Sequence, residues 1–141
     1  MFPPYVRNLS AAVDYLPLWA ETIGGVVLDG LEVTEVFEDA ELVAVEVARF
    51  RIGFDAHGTL LTVGLDIAAD LSTPWYSFDL RRQDGRLLWR HDNHPGHEAE
   101  HAGKPTHVHI GPDEDHRVLV AMPVTLEDIA AKVVSTHINL S

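Results

Sequence analysis

Six of the nine histidines in this chain, His91, His94, His97, His101, His107 and His109, fall within nineteen residues. Imidazole titrates near neutrality and is the commonest metal ligand, so this crowding has two chemical uses. The first is metal-free acid–base work on a phosphodiester. RNA cleavage needs one group to deprotonate the 2′-hydroxyl and another to protonate the leaving oxygen. His97, His107 and His109 are the candidates for those two roles. Arg90, between Trp89 and His91, is placed to hold the phosphate, and Asp92 and Asn93 follow it to orient the reacting groups. On a strand, Arg90 and Asp92 share one face.

The second use is a metal centre. His107 and His109 are spaced so that a strand puts both rings on one face. His97 would complete a zinc-like site with a position left open for water, which the ion would activate for hydrolysis. Glu114, downstream of His109, gives this metal-dependent hydrolase alternative a loose likeness to cupins, although the flanking glycines of that motif are not in place. A third reading, a non-catalytic interaction domain, treats the histidines as surface decoration. His94 and His101 lie in a polar stretch and read as solvated. His57, His116 and His137 are isolated and read as surface residues. Trp75, Tyr76 and Trp89 read as core or sheet-face packing, because a base-stacking platform normally comes with basic neighbours.

Other chemistries are excluded by what is missing. There is no cysteine, hence no thiolate zinc site and no cysteine nucleophile. No glycine-rich phosphate loop and no serine in a nucleophile-elbow context occurs. No apolar run approaches the ~20 residues of a membrane helix, and no signal peptide is visible, so a cytoplasmic location is expected. The chain carries 22 acidic and 10 basic residues, for a net charge of −12. That field repels nucleic acid at low salt and attracts a basic partner. It also fits adaptation to high salt, as in a halophile.

These residues must be positioned by a scaffold, and the 141-residue length sets one domain as the default. Residues 1–25 form an N-terminal helical segment. Ser10 is its candidate N-cap, Pro17 should kink or restart the helix, and Gly24-Gly25 ends it. From Val26 the hydrophobic period changes to two. Residues 26–122 read as an antiparallel sheet with a His-rich loop over 92–105. Strands are expected near Val26–Glu38, Val43–Ala48, Leu60–Ile67, Trp75–Arg82, Arg86–His91, Thr106–Ile110 and Val118–Met122. Asp29-Gly30 marks a turn, and Asp84-Gly85 a type I′ hairpin turn. Thr125-Leu126-Glu127-Asp128 has the form of a capping box that opens a C-terminal helix over 125–138. The expected fold class is α+β: an antiparallel meander of about five to seven strands with a helix at each end.

The segment Trp89-Arg90-His91-Asp92-Asn93-His94-Pro95-Gly96-His97, followed by Pro105-Thr106-His107-Val108-His109, resembles the two His-bearing elements that mark the TumE-like toxins of prokaryotic toxin–antitoxin systems. The upstream Tyr76-Ser77-Phe78 strand, the Asp84-Gly85 turn and the capped C-terminal helix fit the same pattern. The resemblance covers roughly residues 43 to 137. This chain departs from the family at His91, where a Tyr is usual, and at His94 (Ala), Gly96 (His) and Val108 (Lys). The resemblance implies a toxin of a type II module encoded beside a small antitoxin, often one with a helix-turn-helix. Joined to the chemistry above, it sets the expectation of a metal-independent ribonuclease acting on RNA, with no cofactor and with oligomers open.

Overall fold

The computed structural model describes residues 1–93, 107–112, 117–119 and 124–140, with residues 107 and 117–119 described by their backbone alone. His94, His97, His101, His116 and Glu114 lie outside those residues.

Helix α1 spans Leu9–Thr22. Asn8, rather than Ser10, is its N-cap, and the Asn8 Oδ1 accepts a hydrogen bond from the Ala11 amide at 2.8 Å. The helix runs through Pro17 as one element. A proline removes one backbone donor, and here the buried side chains of Leu9, Ala12, Leu16, Trp19 and Ala20 hold both halves on the same core. The expected glycine stop is present. Gly24 has φ +83, its amide donates to the Glu21 carbonyl, and the Gly25 amide donates to the Ala20 carbonyl, the two bonds of a Schellman motif.

The strands follow as β1 (Val26–Val27), β2 (Glu32–Glu38), β3 (Glu41–Phe54), β4 (Thr59–Ala68), β5 (Trp75–Arg82), β6 (Leu87–Asp92), β7 (His107–Ile110) and β8 (Arg117–Leu119). Every pairing is antiparallel. β1 and β2 lie end to end along one edge of β3, and the order then runs β3-β4-β5-β6-β7-β8. The sheet is therefore a meander seven strands wide, at the upper end of the expected range. β3 is longer than its valine-rich half suggests, because a bulge between Val47 and Phe50 lets the strand continue to Phe54.

The turn chemistry departs from expectation in one place. The two-residue type I′ hairpin is at Asp39-Ala40, where both residues have positive φ, 50 and 68. In the Asp84-Gly85 loop only Gly85 is positive, with φ +94. Its amide donates to the Arg82 carbonyl, so this loop is a tight turn followed by a glycine bulge.

Helix α2 spans Leu126–Leu140. Its capping box is reciprocal: the Asp128 amide donates to Thr125 Oγ1 at 3.1 Å, and the Thr125 amide donates to Asp128 Oδ2 at 3.0 Å. Both helices cover the same face of the sheet. Trp19 of α1 meets Phe78 of β5 edge-on, and its indole N–H donates to the Leu126 carbonyl at 3.2 Å. Trp89 of β6 donates to Thr136 Oγ1 of α2 at 2.9 Å. The core is built from the alternate residues that face the helices, among them Leu61, Val63, Leu65, Tyr76, Phe78 and Leu80. Burying each such side chain stabilises the fold by roughly 1.5–3 kcal/mol.

His137 is not a surface residue. It is buried on α2, shares a hydrogen bond with Thr59 at 2.7 Å, and stacks on exposed His57 at 4.1 Å. The helical stripe that carries Ile129 and Val133 also carries His137, and Thr59 supplies the polar partner that its burial requires.

Candidate functional site

With both helices on one face, the other face of the sheet is left to the polar alternates. Cross-strand register sets Thr62 opposite Asp79, Asp79 opposite Arg90, and Arg90 opposite His109. A second row sets Gly64 opposite Ser77, and Ser77 opposite Asp92. Side chains directly opposite on one face come within contact distance, so the meander gathers residues from 62 to 109 into one patch. Most of the patch lines a cavity of about 570 Å³ bounded by Arg49, Thr62, Gly64, Trp75, Ser77, Asp79, Arg81, Arg90, Asp92 and His109.

The centre is a trio. Arg90 Nε donates to Asp92 Oδ2 at 2.9 Å, and Arg90 Nη2 lies 3.2 Å from His109 Nε2. His109 Nε2 lies 3.5 Å from Asp92 Oδ2. Asp92 and His109 are 5% and 3% exposed, so both polar groups depend on partners within the protein. A guanidinium can only donate. The neutral His109 ring therefore accepts from Arg90, whereas the protonated ring has the Asp92 carboxylate beside it. Each protonation state thus has a partner in the trio. Alongside, Arg81 forms a two-pronged pair with Asp79 at 2.8 and 3.0 Å, and Asp79 Oδ2 lies 3.9 Å from Arg90 Nη1. The patch changes sign towards β3, where Glu46 pairs with Asp66. Burial, and then the Glu46 charge, raise the Asp66 carboxyl above the ordinary carboxylate range.

Of the residues singled out in the sequence, the structure brings Arg90, Asp92 and His109 together. Asn93 is not part of the trio. Its Oδ1 accepts from the Tyr76 amide at 2.8 Å and its Nδ2 donates to the Pro74 carbonyl at 3.0 Å, so it ties the end of β6 to the start of β5. The backbone of His107 pairs with Asp92, and His97 lies outside the described residues. Among the described residues, no three of His, Asp and Glu are grouped so as to hold a metal ion.

His91 belongs to the opposite face. It is buried under α2, where Lys132 Nζ donates to its Nε2 at 2.8 Å. Burial, then the Lys132 charge, lower its pKa to about 4. Burial also lowers the pKa of Lys132, whose ammonium lies 5.1 Å from the centre of the Trp89 ring.

Asp79, Arg81, Trp75 and Arg49 were not singled out from the sequence as site residues. The alternation in β5 did put Ser77, Asp79 and Arg81 on one face, and the missing link was the hairpin register that sets Asp79 against Arg90. Arg49 sits in the β3 bulge with φ +50, and nothing in its local sequence marks that bulge.

Residues 27–137 match the family model described as Toxin TumE. No curated protein and no solved structure matches the chain.

Proposed function

The chain belongs to the TumE toxin family, and from that premise we propose that this toxin component is a metal-independent ribonuclease whose centre is the Arg90–Asp92–His109 trio. The observation that carries the reading is the convergence of a buried imidazole, a guanidinium and a carboxylate in one cavity of about 570 Å³. His109 takes the proton of a ribose 2′-hydroxyl, and the 2′-oxygen attacks the adjacent phosphorus. The bond to the 5′-oxygen breaks, and that oxygen receives a proton from a second acid, for which His97 and His107 are the candidates. Arg90 pairs with the phosphate oxygens. Asp92 holds Arg90 in place and steadies His109 once it is protonated. Asn93 contributes by fixing the strand end.

Among the described residues, no helix is long and apolar enough to cross a membrane. The proposed setting is the cytoplasm. The proposed partner is a small antitoxin, basic on its docking face, because a chain of net charge −12 attracts cations; a helix-turn-helix protein is the expected kind.

The test is cleavage of single-stranded RNA by purified protein in the presence of a chelator. The wild type should cleave, and His109→Ala should lose about 10²–10⁴-fold in rate, the usual contribution of a positioned acid or base. Intact folding of the variant is checked by circular dichroism. Cleavage that disappears with the chelator and returns with zinc would favour the metal-dependent alternative. Equal rates for wild type and His109→Ala would remove the trio from the chemistry.

A further inference from the structure

Two features of the cavity are not used by the trio. The first is Arg49. It stands in the left-handed region at φ +50, inside the β3 bulge, where only glycine is at ease. Its side chain is exposed and makes no ion pair or hydrogen bond among the described residues. Among the described residues, the cavity lining holds three arginines against two aspartates. Arg81 and Arg90 face those aspartates, so Arg49 is the surplus cation among the described residues, in a protein whose net charge is −12. The bulge carries Arg49 to the lining of the cavity.

The second feature is Trp75. It is half-buried, whereas Trp19 and Trp89 are 3% and 4% exposed. Its ring lies against Gly64: a Cβ at that position would come within 2.7 and 2.8 Å of the indole. Glycine at 64 therefore lets the indole settle onto the sheet as a wall of the cavity. An aromatic wall with arginines around it is the chemistry of a nucleotide subsite, in which a base stacks on the ring and cations hold the backbone. The cavity is of the size that takes a small ligand, so it fits one unpaired nucleotide unit rather than a duplex.

We propose that Trp75 and Arg49 form a subsite for single-stranded RNA, with Trp75 stacking an unpaired base and Arg49 pairing with a neighbouring phosphate. This rests on the ribonuclease reading for the identity of the strand, and it assigns binding, not chemistry, to both residues.

The experiment is a titration with oligoadenylate followed by intrinsic tryptophan fluorescence. Trp75 is the half-buried indole among three, so binding should quench its emission. Trp75→Ala should weaken binding by roughly 5- to 150-fold, the range reported for loss of one stacked base, while Trp75→Phe should recover most of it. Arg49→Gly removes the charge and relieves the bulge, so it should unfold no more readily than wild type yet bind oligoadenylate more weakly, with a salt slope shallower by about 0.7. Wild-type quenching with these losses supports the subsite even in a protein that cleaves nothing, which would sink only the ribonuclease reading. Normal cleavage with unchanged KM in Trp75→Ala and Arg49→Gly overturns the subsite and leaves the ribonuclease reading standing. Competition by inorganic phosphate as strong as that by oligoadenylate, with Trp75→Ala indifferent, reduces the cavity to an anion site and also overturns it.

Discussion

His91 and His109 occupy adjacent strands but opposite faces, because His91 pairs with Val108 and not with His109. One step of register separates a buried ring under a lysine from a ring in an open cavity. The consequence for His91 is a dependence of stability on pH. Its folded pKa is about 4, against an ordinary value of 6.5. Above the ordinary value the ring is neutral in both states and costs nothing. As the pH falls from there towards about 4, the unfolded chain takes up a proton that the folded one refuses, so stability falls with pH across that window. Urea unfolding midpoints measured across it should decline more steeply for wild type than for His91→Gln; parallel curves would show that His91 titrates normally. Asp92 carries a different expectation. It is buried and accepts from Arg90, so Asp92→Ala should cost about 1.5–3 kcal/mol, the worth of a hydrogen bond to a charged group, read from chemical denaturation. A change below a few tenths of that range would mean that water replaces the carboxylate without penalty.

Among the elements, the turns and caps make the sharpest predictions. Ala40 adopts φ 68 in the β2–β3 hairpin, a conformation that costs an alanine roughly 1–2 kcal/mol. Ala40→Gly should therefore raise stability by up to about 1 kcal/mol after the entropic cost of glycine is subtracted, seen as a higher Tm. Thr125→Ala should lower stability by about 1 kcal/mol by opening the capping box of α2. The strands, the capped C-terminal helix and the glycine stop of α1 were legible in the sequence, because period-two alternation and capping residues act locally. The Arg90–Asp92 pairing was legible for the same reason, since two residues on one strand need no tertiary information. What escaped were local features without their usual marker residue, and features settled between distant segments. The Asn8 cap wins over Ser10 because the helix begins at Leu9, two residues earlier than a Ser10 cap would start it. Asp39-Ala40 lacks the glycine that usually flags a type I′ turn. The Arg49 bulge is imposed by the pairing of β3 with β4, and it restores the inward phase of Phe50 and Ile52. His137 looked like an isolated surface histidine because its partner, Thr59, lies seventy-eight residues away.

For the whole molecule, a net charge of −12 is spread over a body that gathers three arginines around one cavity. Self-repulsion of that size weakens the compact state and is screened by salt. The unfolding midpoint should rise as KCl is added from low concentration towards molar; a flat or falling response would mean that the acidic side chains are already neutralised by local pairing. The meander has a consequence of another kind. From β3 onward each strand pairs with the one just before it, so a chain leaving the ribosome can zip its hairpins in the order of synthesis, with little loop entropy at each step. The apolar side of that growing sheet has α1 for company from the start, but the half beneath α2 must wait for residues 126–140. Until translation reaches them, Trp89 and its neighbours are uncovered, and chaperone capture of the nascent toxin should be strongest in that last interval.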